Sequence, residues 1–216
     1  MKVHIITLFP KSFPPYLDMS IMKRAQEKGL FRYIIYNLAD WTVRNTRRVD
    51  DRPYGWLPGT VIMVEPLYNC INSIFESSKN RDIPIIYFSP RGKKLTQARA
   101  EWFANKHKEC ILICGHYEWI DERIFNFFSI TSLSIGDYVL SSGELWALVW
   151  IDSVVRLLPW VLNEESLLEE SFSKAIGRKK EYPQYTRPDL FQWQSVPSVL
   201  LSWDKKRIEQ WKKSFY

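Results

Sequence analysis

The sequence predicts an α/β protein, a mostly parallel sheet covered by helices, followed by a smaller C-terminal part. Three observations predict it. Apolar runs of strand length alternate with segments of helical period through residues 3–158, the pattern of strand-helix-strand units. Two stretches, Ile113 to Arg123 and Ser134 to Leu145, break from apolar runs at Gly115 and Gly136 and then set several polar groups close together. After Pro159 the composition changes, first to acidic and then to basic and proline-punctuated.

The elements follow in order. Residues 3–9 read as a strand that stops at Pro10, and residues 20–28 as a helix ending at Gly29, a C-cap position. Residues 31–38 form a second strand. Residues 39–59 are basic, then rich in proline and glycine, with neither helical nor strand period. They predict a long loop, and loops of that length in compact domains are usually functional. Helices at 66–78 and 96–108 and strands at 83–89 and 109–114 come next, and 144–158 carries an apolar stripe at helical spacing. A linker is expected at 163–175, between a first domain, 1–162, and a small helical domain, 176–216, whose last element is a basic helix over 204–213.

An apolar fraction of 46% in 216 residues is enough for a proper core. No apolar run reaches the roughly 18 residues of a membrane span, and residues 1–6 already read as a strand rather than a signal segment, so a cytoplasmic protein is expected. Cys110 and Cys114 flank an apolar strand without a second ligand pair and Cys70 stands alone, so buried thiols are expected and no metal site. The net charge of +6 is unevenly spread. Arg44, Arg47 and Arg48 precede Asp50-Asp-Arg52, and lysines and arginines crowd the C-terminal end, a layout that favours a polyanionic partner.

Ligands of open α/β sheets sit outside the carboxyl ends of strands, where glycine lets backbone approach a small molecule. Gly115, Tyr117, Glu118, Asp121, Glu122 and Arg123 follow one strand end, and Gly136, Asp137, Tyr138, Ser141, Ser142 and Gly143 the other, which suggests one pocket built from both. Asp121 and Arg123 read more simply as an ion pair, Asp137 as a turn residue, and His4, His107 and His116 as structural or solvent-facing.

Several motifs in one order then carry a resemblance: Asp50-Asp-Arg-Pro-Tyr-Gly55 with Pro58-Gly59, Ser89-Pro-Arg-Gly92, Gly115-His-Tyr-Glu118 with Ile120-Asp-Glu-Arg123, Ser134-Ile-Gly-Asp-Tyr-Val-Leu140, Ile151-Asp-Ser-Val-Val-Arg156, and Tyr185-Thr-Arg-Pro188 with Val199-Leu-Leu-Ser202. Together they resemble the bacterial tRNA (guanine-N1)-methyltransferase family, TrmD, over nearly the whole chain. The resemblance implies a SPOUT-type fold whose parallel sheet carries a C-terminal trefoil knot, a small α-helical C-terminal domain, and a homodimer. It implies that Tyr87, Ser89, Pro90, Gly115, Tyr117, Glu118, Gly143 and the loop Ser134, Ile135, Gly136, Asp137, Tyr138, Val139 and Leu140 hold S-adenosylmethionine in a bent shape. By the same resemblance Asp50, Arg52 and Tyr54 of the long loop and Arg187 of the C-terminal part grip the tRNA anticodon stem-loop. A Mg2+ requirement is not derivable from the residues.

Methylation of guanine N1 requires removal of the N1 proton while negative charge develops on O6. A carboxylate can serve as the base and a cation can stabilise the charge. The family places an aspartate in a Glu-Asp-Ser-Phe stretch; here the matching run is Glu169-Glu-Ser-Phe172, so Glu170 is the implied base and Arg156 the implied cation. The bland reading of Glu170 is one more solvated carboxylate in an acidic linker.

The chain departs from the family in one consistent way. Trp56, Trp119, Trp160, Trp193 and Trp203 all stand where the family pattern has glycine, in a chain with ten tryptophans and eight glycines. UGA codons read as tryptophan, where the source reads them as glycine, would produce that exchange. Ser142 also replaces a family glycine, Trp146 stands for a proline or alanine, and His116 for an arginine. Two other readings stand beside the main one: a related RNA methyltransferase acting on a ribose 2′-hydroxyl, and a non-catalytic RNA-binding protein whose cofactor pocket Trp119 fills.

Overall fold

The computed structural model of the chain describes residues 1–55, 57–117 and 119–216, so the expectations for Trp56 and Glu118 lie outside the described residues. The described residues fall into two compact units, Met1–Val161 and Leu162–Tyr216.

The first unit runs β1 (Lys2–Thr7), α1 (Pro14–Leu17), α2 (Ser20–Glu27), β2 (Arg32–Asn37), β3 (Asp50–Asp51), β4 (Val61–Ile62), α3 (Val64–Ser78), β5 (Ile85–Lys94), α4 (Gln97–Lys106), β6 (Glu109–Ile113), β7 (Trp119–Ile120), α5 (Ile124–Phe127), β8 (Ile130–Ser134) and α6 (Glu144–Val155). Five strands form the central sheet in the order β2-β1-β6-β5-β8, every pair parallel. Side chains alternate across a strand, and here both faces are covered. Val3, Ile5, Ile86 and Leu112 pack with Met22, Phe103, Trp150 and Val154 on one side. Ile6, Ile85, Ile111 and Ile113 pack with Leu67, Ile71 and Ile74 on the other. Burial on both faces explains why these strands read as unbroken apolar runs. Cys70, Cys110 and Cys114 are buried free thiols, and burial pushes Cys110 up to about 12.

The first strand ends at Thr7 rather than residue 9, because the Phe9 amide turns back to donate to Thr7 Oγ1 at 2.9 Å and a 3-10 turn follows at Pro10–Ser12. Helix α3 starts two residues before Pro66, which sits in the first turn where a missing N–H costs nothing. Strand β5 runs on to Lys94 instead of stopping at residue 89, with its register on β8 shifted between Phe88 and Lys93. At Gly92 a Cβ would lie 2.5 Å from the Leu133 backbone, so only glycine lets the irregular strand close on β8. The long 39–59 loop contains β3, which pairs antiparallel with β4, and β4 pairs parallel with β7.

The second unit holds α7 (Glu164–Leu168), β9 (Leu190–Phe191), β10 (Gln194–Ser195), α8 (Ser198–Leu201) and α9 (Lys205–Lys213). The expected linker is thus partly helical, with Asn163 capping α7 by accepting from Glu165 N. The unit is not helical alone, since β9 and β10 make an antiparallel hairpin. Asp204 is the N-cap of α9, accepting from the Lys206 and Arg207 amides. Trp211 packs with Tyr182, Tyr185 and Phe215.

A buried polar cluster ties the amino-terminal ends of β1 and β6 to β2 and α3. His4, fully buried, bonds Tyr36 Oη at 2.9 Å and Glu109 Oε1 at 2.8 Å, while Ser78 and Lys2 also reach Glu109. Desolvation lowers the His4 pKa against the opposing pull of Glu109. Burial alone would raise Glu109, but the bonds from His4, Lys2 and Ser78 outweigh it and bring its pKa to about 2. Both groups bind fewer protons folded than unfolded, so stability falls with pH from near 6.5 for His4, and from about 4.5 down through 2 for Glu109. In acid titrations followed by circular dichroism, Glu109→Gln is therefore expected to be less stable at pH 7 and to show a flatter loss between pH 4.5 and 2.

Candidate active site: two cavities divided by Trp119

The two glycine-broken stretches meet. Gly143, the residue before α6, donates its amide to the Gly115 carbonyl at 2.8 Å. A Cβ at Gly143 would stand 2.6 Å from the Gly115 nitrogen and 2.8 Å from Cys114 Cα, so this backbone contact exists only because residue 143 has no side chain. Beneath it Thr7 Oγ1 donates to Glu144 Oε1 at 2.6 Å, joining the end of β1 to the start of α6. Glu144 Oε2 is buried with no partner among the described residues. Thr7→Val would strip the other oxygen as well, at a cost of about 1–3 kcal/mol. That should lower the melting temperature by roughly 2–10 °C in calorimetry, and Thr7→Ser, which keeps the hydroxyl, should lose much less.

Above the contact lies a cleft of about 150 Å³ lined by Tyr87, Pro90, Gly115, Tyr117, Leu140 and Gly143, among others. Val139 also lines it. The remaining described residues expected at the donor site make the following contacts. Ser89 accepts from the Arg91 amide, Ser134 and Gly136 exchange hydrogen bonds, and Asp137 pairs with Lys94 at 2.8 Å. Ile135 packs against the core, and Tyr138 is exposed with its ring against Gly136. Phe88, His116 and Trp146 line the cleft too and were not expected as site residues, and Trp119 lines it as well. His116 is half-buried. Its ring lies between Phe9 and Tyr117, and its Nδ1 is buried without a partner among the described residues. Asp121 and Arg123 do form an ion pair, Arg123 bonding both carboxylate oxygens at 2.9 and 2.6 Å.

A larger cavity, about 980 Å³, opens on the long-loop side and is lined by Arg44, Asp51, Arg52, Tyr54, Arg91 and Arg123 among others. The loop's arginines are partly paired: Arg44 with Asp51 at 3.1 Å, and Arg48 with Asp50 at 3.8 Å. Hydrogen bonds from the Arg52 amide and Arg44 hold the Asp51 carboxyl below its usual range. Trp119 lines both cavities. Its indole meets the Tyr87 ring edge-on at 5.5 Å, carries the Arg91 guanidinium at 4.9 Å and donates to Glu122 at 3.1 Å. The indole is a surface the two cavities share.

Arg156 closes α6 in the first unit. Glu170 belongs to the second, where its carbonyl accepts from Ser173 N. The neighbouring Glu169 is engaged elsewhere, accepting from Lys212 at 2.7 Å and Tyr182 at 3.0 Å, and the Lys212 bond lowers its pKa. Arg187 is exposed in the second unit.

The family model described as tRNA (Guanine-1)-methyltransferase TrmD matches residues 1–215. The chain belongs to this family. A protein named tRNA (guanine-N(1)-)-methyltransferase from Clostridioides difficile is 46% identical over 99% of this chain and 91% of its own length. Proteins of the same name from Macrococcus caseolyticus (46%, covering 98% of this chain and 85% of the relative) and Thermomicrobium roseum (44%, covering 99% and 78%) are similar throughout. The TrmD family is a methyltransferase family, and a methyl donor of the S-adenosylmethionine type is what its chemistry calls for.

The cleft fits such a donor in its backbone but not in its volume. Tyr87, Gly115 and Gly143 bring main chain and ring close around it. Pockets for ligands of that size run to roughly 300 Å³ or more, against about 150 Å³ in this cleft beside the Trp119 indole. Among the described residues no cluster of histidine, cysteine, aspartate or glutamate could hold a metal ion, and no described helix is long and apolar enough to cross a membrane.

Proposed function

We propose that the chain methylates N1 of the guanosine 3′ of the tRNA anticodon, with S-adenosylmethionine as the donor bound between the Gly115 and Gly143 loops. The observation that carries this reading is the Gly143–Gly115 backbone contact, which builds a cleft at the carboxyl end of the parallel sheet from the two stretches that bear the family's motifs. Tyr87, Pro90 and Leu140 supply its apolar walls, suited to an adenine ring. Bound there, the donor would offer an electrophilic methyl group. Glu170 takes the guanine N1 proton as the N1–C bond forms, and Arg156 stabilises the charge that develops on O6. Asp50, Arg52 and Tyr54, on the loop that walls the larger cavity, and Arg187 bind the anticodon stem-loop. The family's trefoil knot, a cytoplasmic location and a homodimer belong to the same proposal; Leu145 and Val149 give α6 an exposed apolar face for a second copy.

The test is a methylation assay on tRNA transcripts with and without guanosine 3′ of the anticodon, using the chain both as written and with glycine at position 119. Methyl transfer that needs that guanosine is the expected result. Transfer to a ribose hydroxyl, or to transcripts lacking the guanosine, would overturn the reading.

A further inference from the structure

Ten tryptophans and eight glycines share this chain, where a globular protein of its length carries glycine at about 7% of positions, roughly fifteen. The structure sorts the tryptophans into two kinds. Trp146 and Trp150 are buried in the core, Trp211 sits in an aromatic cluster, Trp102 packs on Phe103 and His107, and Trp41 lies against Tyr36. Trp160, Trp193 and Trp203 are 74, 80 and 92% exposed and make no ring contact among the described residues.

The backbone at two of these three positions suits glycine. Trp160 and Trp203 lie in the left-handed region, at φ 70° and 56°, where a bulky side chain is a genuine outlier and glycine is at ease. Trp203 follows Ser202, the C-cap of α8, the position at which helices commonly end on a left-handed glycine. Trp193 is the second residue of the two-residue turn between β9 and β10, after Gln192 at φ 53°; its own φ is not left-handed, so it shares only its exposure with the other two. Trp119 is the fourth. It is well contacted, and it lines both the cleft of about 150 Å³ and the cavity of about 980 Å³.

We propose that positions 119, 160, 193 and 203 carry glycine in the protein its own cell makes, and that glycine at 119 joins the two cavities into one cleft. UGA differs from the glycine codon GGA by one base, so reading UGA as tryptophan in a gene whose source reads it as glycine places an indole at each such site. The glycine assignment stands on backbone and exposure at 160 and 203, on exposure at 193 and on the two cavities at 119; the consequence for the donor rests on the proposed methyltransferase reading. In the joined cleft the Gly115 and Gly143 loops and the loop of Arg52 and Tyr54 line one space, which donor and RNA base share.

Peptide mass spectrometry of the protein purified from its source reads the four positions directly. Glycine at all four is expected, and tryptophan at any of them overturns the proposal. Calorimetry with S-adenosylmethionine then compares the recombinant chain as written with its Trp119→Gly form, where at least about tenfold tighter binding is expected, since the indole occupies volume the ligand needs. Measurable but equal affinity in the two chains overturns the role given to position 119. Glycine in the native peptides together with no binding by either chain upholds the glycine assignment and counts against the donor reading alone.

Discussion

Glu170→Gln is expected to lower tRNA methylation about a hundredfold or more while tRNA binding stays within about twofold, the loss typical of removing a positioned general base. The comparison belongs in a chain carrying glycine at position 119, where the donor cleft is open, with single-turnover rates for the chemistry and filter binding for the RNA. The amide keeps the shape and hydrogen-bonding reach of the carboxylate but cannot take the N1 proton. Glu169→Gln is the control. Its carboxylate is held by Lys212 and Tyr182 within the second unit, so its loss should lower thermal stability rather than select against the chemical step. Near-normal turnover in Glu170→Gln would remove that residue from the mechanism.

Gly143→Ala is expected to damage both fold and site. The new methyl group would stand 2.6 Å from the Gly115 nitrogen and 2.8 Å from Cys114 Cα, and both are backbone atoms that cannot rotate away. Forcing extra volume into such a contact costs about 1–3 kcal/mol, a fall of roughly 2–10 °C in melting temperature for a chain of this size. The larger effect should fall on donor binding, because any relief separates the two loops that make the cleft. Calorimetry in the glycine-119 background reads both quantities. Unchanged donor affinity would mean that the Gly143–Gly115 contact does not shape the site.

The strands of the central sheet were legible because they are buried on both faces. Residues such as Ile111, Leu112 and Ile113 have no solvent side to alternate with. Strand β8 escaped notice because Ile130-Thr-Ser-Leu-Ser134 lies at the sheet edge and is mixed in polarity. The two-residue strands β3, β4 and β7 are too short to show a period. The glycine loops announced themselves through Gly115, Gly136 and Gly143. His116 did not, since an isolated histidine carries no signal until its neighbours Phe9 and Tyr117 are known.

By itself the sequence determined the α/β alternation, the family and the anomaly at position 119, because all three are written in residue type and local order. Only the tertiary structure decided that Gly143 touches Gly115, that Glu144 is pinned by Thr7 from the far end of the chain, and that Trp119 lines two cavities at once. Those are contacts between residues distant in sequence. Chain folding sets such distances, and no local pattern of residues encodes how much room is left between them.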